Sequence, residues 1–127
     1  AAGEVEVGFV NHYYLYRFLA EEGEDFSARN HSLNDGGPAS LVMVAGAGQL
    51  ATSQNPENAQ RFLDFLLSTV AQQYFASQTY EYPLVDGVVT SSLLTPLADL
   101  NTPDIPLGEL DDLQGTVEML QDVGLLP

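Results

Sequence analysis

Asn11-His12-Tyr13-Tyr14-Leu15-Tyr16-Arg17 sets two adjacent phenols between an apolar stretch and a helix-forming one. Upstream, residues 4–10 (Glu-Val-Glu-Val-Gly-Phe-Val) alternate and then turn apolar, as a strand entering a buried sheet does. Downstream, Tyr13 to Glu22 reads as a short helix with Leu15, Phe18 and Leu19 facing inward and Gly23 as its stop. Strand, polar turn and helix in succession predict an α/β fold. Ligand sites of such folds gather at strand ends, where the two phenols stand.

A deprotonated tyrosine oxygen is a hard anionic donor, suited to a hard, highly charged cation such as ferric iron. Free phenol titrates near pH ~10, so a neutral-pH site needs a cation strong enough to displace the proton. Tyr13 and Tyr14 are therefore a candidate metal clamp. Equally, aromatics at a helix start pack against a sheet while their hydroxyls find partners. Asn11 would donate its amide to an anion or simply close the turn. His12 would be a ligand or a satisfied turn histidine. Chemistry alone leaves both readings open.

The rest of the chain narrows the class. Its 127 residues make one domain's worth of chain, and 45% of them are hydrophobic, enough for a core. Eighteen acidic residues face three arginines (Arg17, Arg29, Arg61) and no lysine, for a net charge of -15. Such a surface repels phosphate backbones and anionic membranes, so nucleic-acid binding is not expected. No cysteine is present, which excludes disulfides, thiolate ligands and thiol catalysis within this stretch. No run approaches the ~20 apolar residues of a membrane span, and the first residues lack a signal peptide's pattern.

Residues 23–38 are polar and rich in turn formers, hence a loop. Leu41-Val42-Met43-Val44-Ala45 reads as a strand buried on both faces. Asn55-Pro56-Glu57 predicts a helix start with asparagine as cap, proline in the first turn and glutamate at the positive end. That helix is expected to reach about Ala76, with Phe62, Leu63, Leu66, Val70, Tyr74 and Phe75 in the core. Thr79 to Leu84 reads as extended, and residues 85–108, punctuated by Pro96, Pro103 and Pro106, as connections. A last helix is expected from Leu110 to Val123, stopped by Gly124.

Other chemistry finds thin support. Gly46-Ala47-Gly48 comes after an apolar run, but position 51 is Ala51, so the dinucleotide fingerprint is incomplete. Glu81, between Tyr80 and Tyr82, is the best general-acid candidate, yet no Gly-x-Ser-x-Gly elbow accompanies it. Catalysis is not expected.

Four blocks, in order, carry a resemblance. They are Val10 to Arg17, Leu41 to Gly48, the stretch 56–76 ending Gln72-Gln73-Tyr74-Phe75-Ala76, and Tyr80-Glu81-Tyr82-Pro83-Leu84. Over almost the whole chain the sequence resembles the C-terminal portion of ferric-iron-binding substrate-binding proteins of ABC transporters. The resemblance implies two α/β lobes closing over iron, with Tyr13 and Tyr14 as paired ligands. It also implies that Asn11 helps hold a synergistic anion, phosphate or carbonate, on the metal. The remaining ligands would come from sequence upstream of this chain. Residues 1–43 would then lie in the C-terminal lobe, 44–92 in the N-terminal lobe, and 93–127 in the C-terminal lobe again. The implied setting is extracytoplasmic, periplasmic or on a lipoprotein, and the implied partners are an ABC permease and the missing N-terminal part. An incomplete sheet would also favour self-association or a domain swap. The alternatives are a related protein for a polyamine, thiamine or an oxyanion, a hydrolase using Glu81, and a purely structural interaction module.

Overall fold

The computed structural model describes residues 2–127, in which the regular structure is helical. Four α-helices run in order: α1 (Tyr13–Glu22), α2 (Pro56–Leu66), α3 (Thr69–Gln78) and α4 (Leu113–Asp122). Single 3-10 turns lie at Pro38–Ser40, Leu97–Asp99 and Leu107–Glu109. The chain forms two compact units, one from the segment up to Ser32 with Ala45–Leu100, the other from Leu33–Val44 with Asn101–Pro127.

The strand expectations, and with them an α/β fold within this chain, are not met: no strand occurs among the described residues. Residues 4–10 and 41–45 carry the right pattern but have no neighbouring strand to bond with. A strand's backbone donors and acceptors need a partner; without one the pattern stays unused. Val7 and Phe9 are accordingly 81% and 90% exposed, and Met43, expected to be buried, is 66% exposed.

Helix α1 keeps its expected bounds. Its stop is Gly23 at φ +84, a backbone open to glycine, whose N–H donates to Leu19 O. The helix expected over 56–76 is broken into α2 and α3. Ser68 makes the break, because its side chain accepts from Ala71 N and starts a fresh helix. Asn55 makes no side-chain cap; its own N–H donates to Ser53 Oγ. The last helix begins at Leu113 rather than Leu110, since Asp112 Oδ1 accepts from Gly115 N at 2.9 Å. Leu110 falls in the turn before it.

Helices α2 and α3 pack on each other. Buried Gln72 ties both to the segment beyond α3, its Nε2 donating to Leu66 O and its Oε1 accepting from Leu84 N, both at 2.8 Å. Gln73 clasps Val89 likewise, Nε2 to Val89 O and Oε1 from Val89 N. Two glutamines thus pin residues 84–89 along α3. The apolar face expected to form the core is instead open. Phe62, Val70 and Tyr74 are exposed, and with Phe65 and Phe75 they line a hollow of about 380 Å³. Leu15, Ala71, Ala76 and Leu94 are the buried apolar side chains, and none of the large side chains described is fully buried.

In the second unit a polar turn organises the chain. Asp35 Oδ1 accepts from Gly37 N at 2.9 Å and from Ser40 Oγ at 2.7 Å. Those donors hold its carboxyl below the usual carboxylate range, the Ser40 hydroxyl contributing most.

Candidate functional site

The site residues expected from sequence come together at the start of α1. Tyr13 and Tyr14 open the helix, with ring centroids 4.8 Å apart and planes inclined at 57°. Asn11 Nδ2 donates to the Tyr13 hydroxyl at 2.9 Å. Tyr13 is half-buried and Tyr14 exposed. Asn11 and Tyr14, with Phe9 and Val10, border a wide open hollow of about 500 Å³. The irregular turn at 11–12 leads into α1, and Tyr14 N donates back to Asn11 O, which keeps the two phenols side by side.

The electrostatics favour a protonated Tyr13 in the absence of a cation. Burial pushes the Tyr13 hydroxyl above its ordinary value, with its hydrogen bond to Tyr14 and the charge there as the next causes. The Asn11 amide works the other way, and the Glu81 charge adds to the rise. A ligand role for Tyr13 therefore requires a cation able to expel a proton.

His12 is a satisfied turn histidine. Its Nε2 lies 2.7 Å from Tyr80 O, and its own carbonyl accepts from Asn30 Nδ2 at 2.8 Å. Around it stand Tyr13, ring centroids 5.5 Å away, and Tyr82, 5.3 Å away. Tyr16 stacks on Tyr80 at 4.8 Å and donates its hydroxyl to Leu93 O, while the Tyr82 hydroxyl donates to Thr95 O. Burial raises the Tyr82 hydroxyl too, with the neighbouring Tyr16 charge behind it. Glu81 sits half-buried, its Oε1 accepting from Thr79 Oγ1 at 3.4 Å. Gly46 to Gly48 lie in irregular, exposed chain with no strand-to-helix setting, which removes the nucleotide reading.

Sequence reasoning placed Tyr80 and Tyr82 in an extended block flanking Glu81, with no role at the site. Their part in holding α1 is a tertiary contact across some seventy positions, which no local pattern announces. Among the described residues, no three His, Cys, Asp or Glu side chains stand close enough to share an ion.

No protein-family model matches the chain. It is 30% identical over 124 residues to the major ferric iron-binding protein of Neisseria meningitidis serogroup B, covering 97% of this chain and 38% of that protein. A Fe(3+)-binding periplasmic protein of Serratia marcescens is 28% identical over 127 residues, 98% of this chain and 37% of its own length. Iron uptake protein A1 of Synechocystis is 30% identical over 115 residues, 87% of this chain and 32% of that protein. These names concern iron binding or uptake and none a catalysed reaction. The chain thus spans well under half the length of the curated relatives it matches. Over nearly its whole length it is a homologue of the ferric-iron-binding periplasmic proteins.

Proposed function

We propose that this chain is part of a substrate-binding protein that captures ferric iron outside the cytoplasm and delivers it to an ABC permease. The observation that carries the reading is the adjacency of Tyr13 and Tyr14 beside Asn11 in a chain homologous to ferric-iron binders. Two phenolates offer hard anionic oxygens, the donor type a trivalent cation prefers. Asn11, whose amide now reaches Tyr13, would turn to a synergistic anion, phosphate or carbonate, once the phenol ionises. Further ligands would come from the rest of the protein, and closure of two α/β lobes would exclude water. In that arrangement residues 1–43 and 93–127 belong to one lobe and 44–92 to the other. This is binding without catalysis, and iron is its cargo.

Ferric citrate added to the whole protein tests the reading. A visible phenolate-to-iron charge-transfer band is expected, and it should vanish or collapse in Tyr13→Phe and in Tyr14→Phe. If both variants keep the band, the tyrosines are packing groups and a different solute is bound. Because each phenol must lose a proton, capture should weaken as pH falls.

A further inference from the structure

One contact at this site is not used by the proposed function, namely the bond from His12 to Tyr80. A carbonyl only accepts, so His12 Nε2 carries the proton and donates to Tyr80 O at 2.7 Å. The bond lands on a left-handed backbone. Tyr80 has φ +58, alone among the described non-glycine residues in that region. Such a conformation costs free energy and persists only where its surroundings hold it. Here three contacts do so: the His12 bond, the stacked Tyr16 ring, and the Glu81 N–H donating to Phe75 O at 3.2 Å.

His12 is gripped from the other side as well. Asn30 Nδ2 holds its carbonyl, and its ring lies edge-on to Tyr13 at 74°. Helix α1 has no side-chain cap of its own, and His12 occupies the position where one would sit. The first turn, which carries both phenols, is therefore anchored by a contact to a distant loop instead of by a local cap.

We propose that His12 is a positioning residue. Through Tyr80 O it fixes the start of α1, and with it the common aim of Tyr13 and Tyr14, without touching the cation itself. The inference rests on the reading of the tyrosine pair as ligands. Losing an outer partner of a metal ligand lowers affinity by about 10–100-fold in general.

The test compares His12→Phe and His12→Gln in the whole protein, titrated with ferric citrate. Phenylalanine keeps a ring against Tyr13 and Tyr82 but donates nothing. Glutamine restores an N–H at similar reach. His12→Phe should bind ferric iron about 10-fold more weakly, with a displaced or weakened charge-transfer band, and should lower the melting temperature of the iron-free protein slightly, as loss of one hydrogen bond does. His12→Gln should recover most of both readouts. Wild-type affinity and band in His12→Phe would overturn the proposal. So would a defect that glutamine does not rescue. If instead Tyr13→Phe and Tyr14→Phe both leave the band intact, the ligand reading itself fails, and this inference with it.

Discussion

Two aromatic regions of the same compact unit have opposite fates. Around the start of α1, Tyr13, Tyr16 and Tyr82 each place a hydroxyl on a named partner, and His12 does the same with its ring nitrogen. On α2 and α3, Phe62, Phe65 and Tyr74 are 60%, 50% and 61% exposed around an apolar hollow. The first region is held by directional bonds that this chain itself completes. The second has only apolar area to offer, and area stabilises nothing until something covers it. Polar atoms make a site in a short chain sooner than apolar faces make a core.

The largest effect expected from breaking this contrast lies at the phenols. Tyr13→Phe or Tyr14→Phe in the whole protein should lower ferric-iron affinity by more than ~100-fold, beyond what loss of an outer partner costs, as read by citrate competition. An equal loss from Phe62→Ser would erase the distinction between the two regions. Next in size is Gln72→Leu, which removes two part-buried hydrogen bonds, to Leu66 O and from Leu84 N. It should cost about 2 kcal/mol in urea unfolding of this chain. A neutral result would mean that residues 84–89 do not depend on α3.

Phe62→Ser in this chain should change stability by less than about 0.5 kcal/mol, since the side chain is already largely in water. A loss near ~3 kcal/mol would show the face packed and break the comparison outright. The smallest effect belongs to a turn with no aromatic at all. Asp35 has its carboxyl held below the ordinary range, so the stability it adds is present above the unfolded value of about 3.9. That stability fades as pH falls through the lower folded value. Wild type and Asp35→Ala should therefore differ slightly at neutral pH and converge in acid, as monitored by circular dichroism.

Much of the site was legible in the residues, for local reasons. Adjacent tyrosines at a helix start must be neighbours in space, whereas the bond from Asn11 to the Tyr13 hydroxyl depends on the turn that leads into α1. The break at Ser68 was not read from the residues: serine is a common cap, but the apolar rhythm of Phe62 to Phe75 runs through it and favoured one unbroken helix. The link from His12 to Tyr80 was not legible. It depends on an unusual backbone at Tyr80 that no residue type there announces.

By itself the sequence determined the chemistry: hard oxygen donors, no thiols, a strongly acidic surface, and the runs of chain that turn helical, such as α1 with its stop at Gly23. Capping, periodicity and donor type are properties of residues within a few positions of one another, so they survive in any stretch that contains them. Only the tertiary structure decided which patterns were used. The 4–10 and 41–45 segments read as strands, but a strand is defined by a neighbour's hydrogen bonds and finds none here. The apolar face of α2 and α3 reads as core, but a core exists only where another surface meets it. The tyrosine turn finds its partners within this chain, at Asn30, Tyr80 and Leu93, and its two phenols stand side by side at the helix start.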